Sequence, residues 1–321
     1  MATSGEVTLT KTANTIVNGA LRLLLGDDEA TRAVSPEKYK NIVDALNQMI
    51  VHWQKTGVGR WSVKDIYVFL QKGNKQSYSL GPTGDHATES FVETDLSAAA
   101  SSGDSTITVD SITGISAGDN IGIVLDDNTI QWTTVNGAPS GSTVTLTASL
   151  TGDTASGNEV YAYTTIINRP IDVYDATRRR SADDEILIEV VSDDRYFEQF
   201  DKYTEGTTLQ VYYDPTTTNG TLYVWRPSNV SNQQLRLSAR MPIDIFKGTD
   251  TDADFPDEWI RSLKFNLAVE VYPEFASSMS QQSIQAFQSH VIPMAMKTKR
   301  DIMTLDSESR PLQFVPNKRR Y

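Results

Sequence analysis

The stretch Ser35–Lys55 constrains this chain more than any other. Tyr39, Ile42, Val43, Leu46, Met49, Ile50 and Trp53 recur at spacings of three and four, which puts them on one face of a 3.6-period helix. Lys40, Asp44 and Gln48 fall on the opposite side. Ser35-Pro36-Glu37 is a helix opening: a hydroxyl caps free N–H groups, a proline fits the first turn, and an acid meets the positive end of the dipole. Gly57 is the matching C-cap candidate. Such a stripe must be covered by something. The apolar partners lie at the two ends of the sequence, in Thr12–Leu25 and in Pro256–Thr304, while nearly everything between reads as β. The expected fold class is α+β: a helical bundle body formed by N- and C-terminal helices, with a central β region and an inserted small β-barrel or sandwich.

Taken in order, Ala13, Ile16, Val17, Ala20, Leu21 and Leu24 share the face of a first helix closed by Gly26-Asp27-Asp28, and an acidic link predicts an antiparallel hairpin with the Ser35 helix. Lys64–Leu70 and Gln76–Leu80 predict strands around the Gly73-Asn74 turn, followed by Gly81–Asp85. From Phe91 to Thr165 the chain turns rich in Thr, Ser, Gly, Asp, Ile and Val. Short strands at Ser105–Val109, Asn120–Leu125, Thr129–Val135, Ser142–Leu146 and Val160–Thr164 suggest a compact inserted domain. Strands resume at Glu185–Val191, Thr208–Tyr213, Thr221–Trp225 and Gln233–Ser238, with a helical turn or two at Asp193–Phe200. Pro256 then opens a helix with two apolar stripes, Ile260, Leu263, Leu267 and Val271 beside Phe265, Ala268, Val269 and Tyr272. A surface that wide implies burial on two sides, one of them against a neighbouring copy; Ile260, Leu263, Phe265, Leu267, Val269 and Tyr272 are the candidate subunit interface. Pro273 ends or kinks that helix, and the last one, Ser280–Thr304, bends at Pro293. The expected division is 1–62 with 255–309, 63–90 with 166–254, 91–165, and an extended arm 310–321.

Zero cysteines exclude disulfides, thiol catalysis and cysteine-held zinc, and three scattered histidines make a His-rich metal site poor; no cofactor is expected. No apolar run approaches the ~20 residues of a membrane span, and Met1–Gly5 lacks the features of a signal peptide. A net charge of −12 argues against gripping nucleic acid, though not against letting it slide past. Gly114-Ile115-Ser116-Ala117-Gly118 spells a nucleophile elbow but sits among β segments without a following helix. Asp250–Asp254 has alternating acids, yet Phe255 and Arg261 stand where a calcium loop needs Gly and Glu, so capping is the simpler role. Arg178-Arg179-Arg180, followed by Asp183-Asp184-Glu185, reads as a self-neutralising turn or as a contact to a partner's acids. No Walker loop, HExxH or dinucleotide fingerprint occurs.

The order of several segments resembles the head-to-tail adaptors, or tail accessory factors, of short-tailed bacteriophages. They are the Thr10–Leu25 and Ser35–Trp53 helices, Tyr78–Asp85, Asn168-Arg169-Pro170-Ile171, Leu222-Tyr223-Val224-Trp225, and Asp254–Trp259 leading into Asn266-Leu267-Ala268. The resemblance spans about three-quarters of the chain and leaves Phe91–Thr165 as an addition. It implies a non-enzymatic ring, typically of twelve copies, docked on the portal protein ring of a virion neck and assembled in the host cytoplasm. Such a ring extends the DNA channel toward the tail hub or nozzle, with a fibre or needle beyond. It also implies a portal-binding arm, here Leu312, Gln313, Phe314, Val315, Pro316, Asn317, Lys318, Arg319, Arg320 and Tyr321. Two alternatives remain open on the sequence. One is a virion-associated peptidoglycan hydrolase with a carboxylate pair. The other is a host-glycan-binding module using Phe91, Trp132, Tyr161 and Tyr163 as a stacking platform.

Overall fold

A computed structural model describes residues 9, 12–26, 34–55, 60–181, 183–247 and 255–305. The chain is a mixed α and β protein that divides into two units, 1–60 with 243–321, and 61–242.

In the first unit, helix α1 (Ala13–Leu25) is capped by the Thr12 hydroxyl, which accepts from the Thr15 N–H. Helix α2 (Pro36–Lys55) starts at Ser35, whose Oγ accepts from the Lys38 N–H. All six α1 stripe residues are buried, as are Ile42, Val43, Leu46, Met49, Ile50 and Trp53 of α2. The first two helices touch, but each packs more extensively on the distant Trp259–Phe275 helix than on the other. A long apolar helix recruits whichever surface buries most of it, and sequence adjacency gives no advantage once the chain is folded. This unit takes up the chain at Ile243 rather than at Phe255. Asn47 explains the earlier boundary: its amide donates to the Phe246 carbonyl at 3.0 Å and accepts from the Phe246 N–H at 2.9 Å. The segment running on to Ser280–Thr304 does not bend at Pro293 alone. It splits into Gln281–Ala286, a π-helical turn at Phe287–Val291, and Ile292–Leu305. The widened turn precedes the proline, where the ring would otherwise collide with a carbonyl one turn back. Pro273 stands in the last turn of its helix, which stops at Phe275.

Among its described residues the second unit holds fourteen strands: β1 (Val63–Phe69), β2 (Ser77–Leu80), β3 (Ala87–Thr88), β4 (Val92–Asp95), β5 (Thr106–Thr108), β6 (Asn120–Val124), β7 (Ile130–Thr134), β8 (Thr143–Thr145), β9 (Glu159–Tyr163), β10 (Asp172–Ser181), β11 (Asp184–Val190), β12 (Gln210–Asp214), β13 (Gly220–Trp225) and β14 (Gln234–Arg240). Eight form one nearly closed sheet in the order β2-β13-β12-β11-β10-β14-β1-β3. Neighbours run antiparallel except β11 and β12, which pair in parallel through Glu189↔Gln210 and Val190↔Val211. Its two edges are joined by Gly81–His86, a turn so tight that a Cβ on Gly84 would stand 2.1 Å from the Ser79 carbonyl oxygen. Inside the curve lie Ile66, Val68, Leu70, Tyr78, Leu80, Val211, Leu222, Val224, Leu235 and Leu237, all fully buried. Strand β10 is the longest among the described residues and holds the Arg178–Arg180 triplet, so that triplet is strand rather than turn.

The other six strands form a second, smaller structure. One sheet has the order β4-β9-β6-β7 and the other is β5-β8; the bridges Leu96↔Val109 and Val135↔Leu146 join them edge to edge and close a small barrel. Leu96, Ile107, Val109, Ile121, Ile123, Val135, Val144, Leu146 and Val160 fill it.

Candidate assembly surfaces

Helix α4 (Trp259–Phe275), counted after the short α3 (Asp193–Phe197), was expected to turn six apolar residues toward a neighbour. Three of them do not face outward. Ile260 is 4% exposed and Leu263 and Leu267 are fully buried, because α1, α2 and the Ile292–Leu305 helix cover that face within the same chain. Leu263 and Leu267 are core residues, not interface residues, and Ile260 is nearly so. Tyr272 is half-buried and stacks on Phe287, with centroids 4.7 Å apart. Phe265 and Val269 also stay half-buried. Phe265 lines a groove of about 460 Å³ together with Leu9, Gly19, Leu23 and Ile260. Two cations, Arg261 and Lys264, and two acids, Asp257 and Glu258, also line it. The Arg261 guanidinium lies 5.9 Å from the Phe265 ring centroid, and the Lys264 stem lies against Gly19, where a Cβ would come within 2.7 Å of it. The arm Leu312–Tyr321 and the acids Asp250–Asp254 lie outside the described residues.

A second surface was not anticipated. In the 61–242 unit, Phe200 is completely exposed, and Phe197, Tyr203 and Leu209 are 57%, 71% and 46% exposed. This segment is held at several points. The Trp225 Nε1–H donates to the Asp201 carbonyl at 2.6 Å, the Thr208 hydroxyl donates to the Arg226 carbonyl, and the Gly206 N–H donates to the Pro227 carbonyl. The Asp201 carboxylate accepts from the N–H groups of Tyr203 and Thr204 and from the Thr204 hydroxyl; that hydroxyl, first among these bonds, holds the acid below its usual carboxylate range. Beneath, Tyr212 and Tyr223 stack at 5.6 Å, with Tyr196 and Phe197 packed on them. The sequence signal existed, as three aromatics within seven residues among acids, but a short polar loop offers no period from which to read their direction.

The third feature is the junction of the small barrel with the large sheet. Phe69 of β1 is buried, and its ring lies 4.9–5.9 Å from those of Trp132, Phe91, Tyr161 and Tyr163. The four aromatics proposed as a sugar platform are therefore turned inward, with Tyr161 and Tyr163 buried outright. The glycan-binding alternative loses its stacking surface. Arg179 belongs here too: its guanidinium donates to Gln234 and to Glu93, each at 2.8 Å, and lies 5.1 Å from the Phe91 centroid. It joins strand β10 to strand β4 instead of meeting solvent or a partner's acids. Arg180 alone fits the self-neutralising reading, with Asp184 at 3.4 Å. Ser116 sits in a turn whose Asp119 carboxylate accepts the Ser116 N–H, far from any elbow geometry.

His86 completes the junction. Its ring stacks on Trp132 at 3.9 Å and its Nδ1 lies 2.6 Å from the Tyr163 hydroxyl. Burial lowers its pKa from 6.5 to about 4; the nearby Asp85 pulls the other way and Lys75 adds to the depression. Burial also raises the Tyr163 pKa, so the phenol keeps its proton and donates it to a neutral imidazole. The folded state thus prefers the uncharged ring, while the unfolded chain takes up a proton below about 6.5. Stability is fully present above that pH and is lost as pH falls toward 4. After allowance for partial solvent access the loss is about 2 kcal/mol. Urea unfolding at pH 7 and pH 4.5 should show this decline in the wild type, and His86→Gln should remove that share of it.

Scanned against family models the chain matches none, and a search of curated proteins returns no match.

Proposed function

We propose that this chain is a non-enzymatic structural protein of a bacteriophage neck, a head-to-tail adaptor. Identical copies close into a ring, typically of twelve, between the portal ring and the tail hub or nozzle, and DNA passes through without specific binding. In this reading the helices of both chain ends form a bundle-like body, and the sheet and its inserted barrel form the second unit. One observation carries it furthest. Among the described residues, the helical unit leaves a groove at Phe265 uncovered, while the β unit holds Phe200 and Tyr203 exposed. A chain with two different unpartnered surfaces suits head-to-tail contacts, which close into rings when the rotation allows. The charge of −12 supports a channel wall, since repeated copies multiply a field that repels phosphates. The segment order quoted above supports the family.

Electron microscopy of the purified protein, alone and mixed with portal, tests the reading. Rings, or decoration of the portal, are the expected outcome; a monodisperse monomer that ignores the portal at high concentration would overturn it. Deleting Arg310–Tyr321 should abolish co-sedimentation with portal and leave the thermal transition unchanged. Undiminished binding would remove the arm from the mechanism.

A further inference from the structure

Beyond the assembly reading and independent of it, we infer that Arg178 is the binding group of an anion site in the wall of the large sheet, taking a carboxylate or phosphate group. Arg178 has the placement of a core residue. Strand β10 pairs without interruption from Ala176 to Arg179, so residues two apart there share a face. Ala176 is fully buried in the core of the large sheet, and Arg178 follows it on that face. Across the strands Arg178 meets Ile186 of β11 and Leu235 of β14, with Val68 of β1 beyond. The residue is only 8% exposed. Its Nε–H is enclosed without a hydrogen-bond partner, and its guanidinium forms no ion pair among the described residues.

The acids nearby are already committed. Arg179 takes Glu93 at 2.8 Å, Arg180 takes Asp184 at 3.4 Å, Arg195 takes Glu189 at 3.1 Å and Arg236 takes Glu185 at 3.0 Å, while Asp183 stands exposed in the turn between β10 and β11. A buried lysine or histidine could shed its proton. A guanidinium keeps its charge, so the cost of desolvating it stands until an anion meets it. The neighbours across the strands are apolar and cannot do so. A route lies close by. Strand β11 pairs with β12 only at Glu189 and Val190, which leaves Asp184–Ile188 with no paired strand on the side away from β10 among the described residues. Ile186, directly across from Arg178, is accordingly 45% exposed. The planar fork of a guanidinium matches two oxygens of a carboxylate or phosphate; a cation would be repelled, and an apolar guest would leave the Nε–H unpaired.

Thermal melting of the full-length protein in chloride buffer, with phosphate or acetate added at matched ionic strength, tests the site and separates the two anions. One of them should raise the wild-type melting temperature saturably, by about 3 °C. Arg180→Met, which removes an exposed neighbour, should respond as the wild type does. Arg178→Met should lose the response and, with no buried charge left, melt at or above the wild type in chloride alone. Arg178→Lys keeps a charge without the fork and should need several-fold more anion for the same rise. A wild type that phosphate and acetate affect no more than chloride overturns the inference. So does an undiminished rise in Arg178→Met, which would be the general effect of an excluded salt. Should that variant not fold, an unchanged midpoint in Arg178→Lys is equally decisive against the site. None of these outcomes bears on whether copies assemble into a ring.

Discussion

Phe69→Ala is expected to cost the 61–242 unit about 4 kcal/mol, the upper range for deleting a buried aromatic side chain. The ring is 1% exposed and touches Phe91, Trp132, Tyr161 and Tyr163, so its removal opens a void against four neighbours at once. Those neighbours are anchored in the small barrel, which has a separate core of Ile107, Val109, Ile121, Ile123, Val144 and Val160 and cannot collapse freely into the gap. Denaturant unfolding followed by tryptophan fluorescence checks it, since Trp132 stands 4.9 Å from the deleted ring. A loss below about 1 kcal/mol would mean that the cluster is not a packed core.

The second large effect is Leu267→Ala, at about 3 kcal/mol. Leu267 is fully buried on α4, against helices from both ends of the chain. The expected signature is a lower unfolding midpoint measured at dilutions where the protein is monomeric, with assembly affected only through the population of folded chains. Phe265→Ala gives the contrast: half-buried at the groove, it should cost less stability and more assembly. Equal and concentration-dependent effects of the two changes would return Leu267 to the subunit interface.

The helices were the most legible part of the sequence, because burial on one side of a 3.6-period element writes itself as a stripe. Every apolar position read in α1 is buried, and all but Tyr39 of those read in α2. What the stripe does not encode is the partner. The two faces of α4 looked like one internal and one external surface, but Leu263 and Ala268, from different stripes, are both fully buried by the chain's own helices. Strand β10 was missed because Asp172–Ser181 reads as polar. Its alternation places Ala176 inside the large sheet and Arg179 toward Glu93 and Gln234, and an inward arginine looks in sequence like an outward one. The aromatics of the inserted block were legible as a group and misread in direction. Phe91, Trp132, Tyr161 and Tyr163 are spread over 72 positions, and only the register Val92↔Ala162 and Gly122↔Trp132 gathers them over Phe69. The pinned loop at Phe200 left no periodic trace at all.

The small barrel has one further consequence. Its first and last strands, β4 and β9, lie side by side through Val92↔Ala162 to Asp95↔Glu159, so the polypeptide departs from and returns to the large sheet at almost one spot. A cassette wired in this way can be gained, exchanged or deleted by a single recombination without rerouting the rest of the backbone. The constraint on such traffic is chemical: any version of the host lacking the cassette would bare Phe69 to water, and a polar residue at that one position is the mark by which an ancestral, uninterrupted relative should be recognised.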